Sequence, residues 1–332
     1  VVFEAIRERY EPGKTVAIGG SLAYGARIAQ EALGIPYATV HLQPMGCCSV
    51  ADPPVASNGA NFTWLPRPFV RLAYWCAEKW ITDPLTSPQI NEFRSTLKLP
   101  PAKRILTKWS PSPQRVIGLF PEWFGSIPDG GAAFRHAGFV LFDDAAGRPT
   151  PARLASFLAE GPPPVVFSFG SAMRHGREYF DAAVEACRLL NVRGVLLGAN
   201  GEQIPEKLPA TVLHADYAPF SEVFPKAACL VHHGGLGTSA QVMRAGVPQL
   251  VMPLAFDQPD NAVRMRRLGV ASLLYPRRFS GRRVAKYLKR ILEDEGMKQS
   301  AKGVAGRFQG VDGAARAAIL AEELLGTDAK PS

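Results

Sequence analysis

Residues 228–258 constrain the fold more tightly than any other stretch of the chain. Residues 228–231 are an apolar run, of the kind that forms a strand buried on both faces of a parallel sheet. The run ends in His232-His233-Gly234-Gly235-Leu236-Gly237-Thr238. Residues 238–245 then read as a helix that stops at Gly246. A second short apolar run, 249–252, leads to Asp257, where another helix is expected to begin. Strand, glycine turn, helix, strand, helix is the grammar of a parallel α/β sheet. Main-chain N–H groups at such a turn, with a helix N-terminus behind them, form an anion site. Glycines let the main chain approach the anion closely. A histidine at the strand end can donate to a phosphate oxygen, and Asp and Gln at the next helix start can bind hydroxyls. Phosphate beside a polyol is the chemistry of a nucleotide-sugar.

The same grammar extends over the chain. Strands are expected at 15–20, 37–41 and 116–120, and again at 165–169, 194–197, 211–214, 228–232, 249–252 and 271–274. Helices are expected at 1–10, 21–33, 69–80 and 87–97, between the later strands, and over 281–325. Residues 42–68 are irregular and rich in Pro, Gly and Asn, the character of a functional loop. The turn-rich stretch from 143 to 164 marks a boundary. The division is therefore 1–145, 146–310 and a closing segment, 311–332. The chain opens at Val1 directly on a helical pattern, whereas a Rossmann-like domain normally opens on a strand. The first domain is thus expected to be incomplete at its N-terminal side.

With 47% hydrophobic and 20% charged residues among 332, the chain is globular. The net charge of +9 suits phosphate-bearing ligands, an anionic membrane or nucleic acid alike. No basic run or motif of a nucleic-acid binder is present, so nucleic acid is not an expected partner. The five cysteines have no zinc or redox spacing, and their odd number argues against a disulfide framework. Together with the lack of any apolar run near the ~18 residues of a membrane span, this predicts a cytoplasmic chain, with a peripheral contact at the inner membrane left open.

His232, Gly234, Gly237, Thr238, Gly246-Val247-Pro248, Pro253 and Asp257-Gln258 together resemble the donor-site signature of the GT-B nucleotide-sugar glycosyltransferases, the UDP-glycosyltransferase superfamily. The resemblance implies an α/β fold of two Rossmann-like domains with parallel sheets. The donor sits on the second, and a last helix, 311–325, returns to the first. It implies donor phosphates held by Ser171 (in Phe169-Gly170-Ser171), His232, Gly234, Gly235, Gly237 and Thr238. It places a nucleobase on Tyr217 and the Ala218 main chain, and sugar hydroxyls on Asp257 and Gln258. It requires neither a cofactor nor a metal.

Each residue also has a plainer reading. A strand-end histidine such as His232 is often satisfied by the main chain. Thr238 and Asp257 are natural N-caps, and Tyr217 is a natural core aromatic. Two positions depart from the plant-type signature. Phe220 stands in place of a Gln, and Ala240 in place of the Glu that holds ribose hydroxyls. The second departure fits a deoxyribose, so the donor is a UDP- or a dTDP-sugar.

The segments 39–44 and 119–124 and Gly138-Phe139 are similar to the rhamnosyltransferases of the rhamnolipid type and their bacterial relatives. Trp64, Phe69, Tyr74, Trp75 and Trp80 lie in or beside the irregular stretch, which suggests an acceptor hydroxyl on a lipophilic molecule; the plainer reading of these aromatics, and the commoner fate of such side chains, is core. The implied reaction is an inverting transfer of a hexosyl group. The family's general base is a His in the first βα loop, a segment expected to be missing from this sequence, so the catalytic base is unassigned and His41 is a weak substitute. Two rival readings stay open: a nucleotide-sugar 2-epimerase on the same fold, and a non-catalytic nucleotide-sugar-binding partner of another transferase.

Overall fold

The computed structural model describes residues 1–56, 60–170 and 176–326. The chain divides into two compact units, one of Val1–Val55, Ala60–Val140 and the segment from Asp312, the other of Leu141–Val311.

In the first unit a parallel four-stranded sheet runs in the order β1 (Ala17–Gly20), β2 (Tyr37–His41), β3 (Arg115–Gly118), β4 (Phe134–His136). Strand β4 was not anticipated. It is three residues long and reads Phe-Arg-His, too short and too polar to show a strand period. Helices α1 (Val2–Arg9), α2 (Tyr24–Leu33), α3 (Arg67–Ala77) and α4 (Asp83–Thr96) accompany the sheet. Helix α2 ends where Gly34 takes a left-handed conformation. One core gathers Phe3, Ile28, Ile35, Ile90, Ile105 and Trp109.

The second unit holds a six-stranded, all-parallel sheet. Its order is β10 (Ala271–Leu273), β9 (Gln249–Val251), β8 (Cys229–His232), β5 (Val165–Ser168), β6 (Gly194–Leu197), β7 (Val212–Ala215). Successive side chains point to opposite faces. Val165 and Phe167 therefore join α6 (Arg177–Leu190) and α10 (Gly281–Glu293) in one core. Val166 joins α5 (Ala152–Ala159) and α8 (Leu236–Ala245) in the other. Both sheet faces are covered, which is why the strands read as continuous apolar runs. Helices α7 (Phe220–Val223) and α9 (Gln258–Arg267) fill two further connections.

The expected helical stretch 281–325 is three helices: α10, α11 (Glu295–Gly306) and α12 (Gly313–Glu322). Two aspartates cut it. Asp294 accepts from the Met297 N–H and Asp312 from those of Ala314 and Ala315, and each side chain caps a new helix start. Helix α12 lies in the first unit, where Leu320 and Ala321 pack with Ala38 and Ile117.

Candidate functional site in the second unit

The chain leaves β5 for β6 on one side and later returns to β8 on the other side of β5. The strand order therefore reverses between β5 and β8. At such a switch point the loops after the two strands diverge and leave a crevice beyond their C-terminal ends. Both loops here carry glycine. Gly170 follows β5 with φ +91°, and Gly234 follows β8 with φ +88°, values that side chains rarely tolerate. In register, Ser168 pairs with His232, so the two turns start at the same height.

The two histidines part ways at this point, because neighbouring strand-end side chains point to opposite sides. His232 is wholly buried. Its Nε2 lies 2.8 Å from Oε1 of the buried Gln249, and its Nδ1 accepts the Gly234 N–H at 3.1 Å. Both ring nitrogens are thus engaged inside the protein. In this arrangement the ring ties the turn to β9. His233 occupies the crevice instead. A Cβ at Gly170 would come 2.8 Å from the His233 ring, and one at Gly235 only 2.5 Å. Both glycines are therefore needed to admit the imidazole. The His233 Nδ1 is buried without a hydrogen-bond partner. Burial lowers its pKa, and the nearby Ser168 main chain and Asp257 carboxylate work against that shift.

Helix α8 opens at Gly235 with no side-chain cap, and its first hydrogen bond runs from Ser239 N to Gly235 O. The N–H groups of Leu236, Gly237 and Thr238 thus have no partner within the helix. Gly237 is exposed, and a Cβ there would meet nothing within 4 Å. Thr238 is half-buried beside it. Open N–H groups, the positive end of a helix dipole and free space form a seat for an anion.

Asp257 does not cap α9 through its side chain. Its Oδ2 accepts from Asn261 Nδ2 at 2.7 Å, and the same amide donates to Gly234 O at 3.1 Å. Asn261, absent from the sequence reading, thereby fastens the glycine turn to Asp257. Gln258 Oε1 accepts the N–H groups of Leu254 and Ala255, at 2.8 and 3.1 Å, and so holds the loop after β9. In that loop Phe256 has φ +57° and is exposed, a strained conformation for a bulky residue. No sequence signal marks it.

Tyr217 follows β7, two strand spacings from β5, or roughly 10 Å. The Arg148 guanidinium lies 3.9 Å from its ring centre. A cavity of about 530 Å³ opens there, lined by Arg148, Pro149, Arg153, Leu154, His214 and Tyr217. Ala218 is buried in the core beneath. A second cavity, of about 290 Å³, lies at the ends of β5 and β6, against Gly170, Gly198, Asn200 and Gln203. Ser171 falls outside the described residues. Ala240 is buried in α8, and its neighbour Gln241 donates to Phe142 O at 3.0 Å. Among the described residues no three His, Cys, Asp or Glu side chains gather as a metal site would need, and no helix is long and apolar enough to cross a membrane.

In the first unit His41 ends β2, buried, with Nδ1 3.0 Å from Ser21 Oγ and Gly46 packed on its ring. Burial pushes its pKa down to about 4, and that of His232 to about 3. Both values lie below the ordinary 6.5 of the unfolded chain, so only the unfolded state takes up these protons as the pH falls through 6.5. Folding stability should be insensitive to them above that pH. From about 6.5 down to 4 it should fall by roughly 1 kcal/mol per pH unit for each histidine. Urea unfolding at pH 7 and pH 5 measures this, and equal stabilities would show that both rings take up protons as readily in the folded as in the unfolded chain.

Four similarities to known proteins bear on this geometry. Residues 194–309, which run from β6 to just past the end of α11, match the family described as "Erythromycin biosynthesis protein CIII-like, C-terminal domain". The O-mycaminosyltylonolide 6-deoxyallosyltransferase of Streptomyces fradiae is 32% identical over 287 residues, an alignment that covers 82% of this chain. The chain spans 64% of that relative's length. Among solved structures, the glycotransferase of kitacinnamycin superposes with a TM-score of 0.75 at 22% identity, over 97% of this chain and 79% of its own. The glycosyltransferase VinC in complex with dTDP does so with a TM-score of 0.63 at 18% identity, over 97% and 74%. The expected α/β architecture with two parallel sheets is therefore the observed one, and its fold is that of the GT-B glycosyltransferases.

Proposed function

We propose that the chain is a glycosyltransferase that moves a hexosyl group from a UDP- or dTDP-sugar to the hydroxyl of a lipophilic acceptor. The observation that carries this reading is the pair of glycine turns flanking the β5/β8 switch point, with the uncapped N-terminus of α8 beside them. The N–H groups of residues 236–238 and the His233 ring hold the diphosphate. Tyr217 supplies a stacking face for the base, and Asp257 reads sugar hydroxyls. In an inverting transfer the acceptor oxygen attacks the anomeric carbon from the face opposite the leaving nucleoside diphosphate. Negative charge then grows on the diphosphate, where open N–H groups and a helix dipole stabilise it. The acceptor hydroxyl must lose a proton. The neutral, buried His41 has the protonation state of a base, and its hydroxyl partner Ser21 keeps the ring oriented. The alignment with a 6-deoxyallosyltransferase supports a sugar nucleotide as donor.

Within this reading dTDP should bind at least as well as UDP. Ala240 offers no group to a ribose hydroxyl, and Gln241 is engaged with Phe142. A solved structural relative, VinC, holds dTDP. Competition calorimetry with dTDP and UDP is the test. A clear preference for UDP would overturn the deoxyribose assignment, and no binding of either would overturn the donor site.

A further inference from the structure

Helix α3 carries apolar residues on two opposite faces. One face is ordinary: Val70 is buried, Tyr74 is half-buried with its hydroxyl donating to Ser49 O, and Glu78 is buried one turn on. On the other face Phe69, Leu72 and Ala73 follow the three- and four-residue spacing of a single stripe, which Trp80 extends past the π-turn Glu78–Thr82. Phe69 is 59% exposed, Leu72 53% and Trp80 64%. Trp75 meets Trp80 edge-on at 5.9 Å, and Lys79 Nζ sits over both rings, at 4.6 and 5.7 Å. Ile81, Leu85 and Trp64 add further exposed apolar surface. Exposed apolar side chains gathered in one stripe mark the place of a partner.

The charge around it indicates which partner. The only acidic residue between 61 and 82 is Glu78. It is buried, accepting from Thr107 N at 2.7 Å and Arg104 Nε at 3.1 Å. The exposed charge along the helix is therefore basic: Lys79 over the two indoles, Arg71 one turn before Trp75, and Arg67 one turn before that. We propose that this face of α3 and the following turn docks on an anionic lipid surface. Indole rings favour the membrane–water interface. Arg and Lys stems can lie along the apolar boundary while their charged ends reach anionic headgroups. A second copy of the chain is the poorer occupant, because a two-fold contact would set the same three cations against each other. The docking does not depend on the donor site.

The test is co-sedimentation of the full chain with vesicles of phosphatidylglycerol and phosphatidylcholine, and with vesicles of phosphatidylcholine alone. The chain is expected to bind the first, with a blue shift of its tryptophan emission, and to bind the second far less. The double variant Phe69→Glu, Trp80→Glu should partition at least ~10-fold more weakly. Leu189→Glu, an exposed leucine on α6, should leave binding unchanged. Arg67→Gln with Arg71→Gln keeps the apolar stripe and should lessen the preference for anionic vesicles. Failure to bind either vesicle, equal binding to both, or undiminished binding by the Phe69/Trp80 variant would each overturn the proposal. So would a concentration-dependent dimer that this variant abolishes, which would assign the face to a second copy.

Discussion

Replacing His232 with alanine should cost about 3–5 kcal/mol of folding stability and leave the affinity for a nucleoside diphosphate nearly unchanged. The ring is fully buried between β8 and β9. Its loss leaves a cavity, removes the acceptor of the Gly234 N–H and strips Gln249 Oε1 of its partner. Gln249 Nε2 is already buried without a hydrogen bond, so the variant would strand a whole amide in the interior. That penalty of about 1–3 kcal/mol adds to the packing loss. Denaturant unfolding gives the stability, and calorimetry at a temperature where the variant is folded gives the affinity. A stable variant that binds more than tenfold more weakly would return phosphate contact to His232.

Gly237→Asp should do the reverse. The position is exposed in the first turn of α8, and a new Cβ would touch nothing. An acidic residue near a helix N-terminus is favourable by a few tenths of a kcal/mol or more, so stability should hold or rise. Its carboxylate, however, would stand where the open N–H groups of residues 236–238 receive an anion. Affinity for dTDP should fall at least ~100-fold, or about 3 kcal/mol. Gly237→Ala is the graded control, expected to stabilise the helix by about 1 kcal/mol with a smaller loss of binding. Undiminished dTDP binding by the aspartate variant would mean that the anion seat lies elsewhere. The two variants thus separate a residue that builds the turn from one that leaves it open.

The alternation of short apolar strands with helices was legible because both sheet faces of the second unit are covered. Burial on both sides imposes a continuous apolar run that needs no partner strand to be recognised. The glycine turn and the helix behind it were legible for the same local reason, since backbone conformation and close approach select glycine wherever they occur. A separate last helix from about 311 was expected, and the earlier break within 281–310 could have been read from Asp294, whose side chain caps the next helix. The short edge strand β4 could not, because three residues carry no period.

Which residues face the site was not local information. His232 and His233 are adjacent and chemically identical, and both suit a phosphate. Only the placement of Gln249 on the neighbouring strand, 17 positions away, takes His232 into the interior and leaves His233 between two glycines. Asn261 gained its part in the same way, through Gly234, a residue 27 positions distant. Likewise, the aromatic residues of α3 look in sequence like core, the usual fate of such side chains. It is the packing of Val70 and Tyr74 on one side that leaves Phe69, Leu72 and Trp80 facing outward. The sequence by itself determined the alternation of strands and helices and the glycine turns, because these depend on each segment's own backbone and burial. The tertiary structure alone decided the direction of each side chain, because that depends on which distant strand or helix supplies its neighbour.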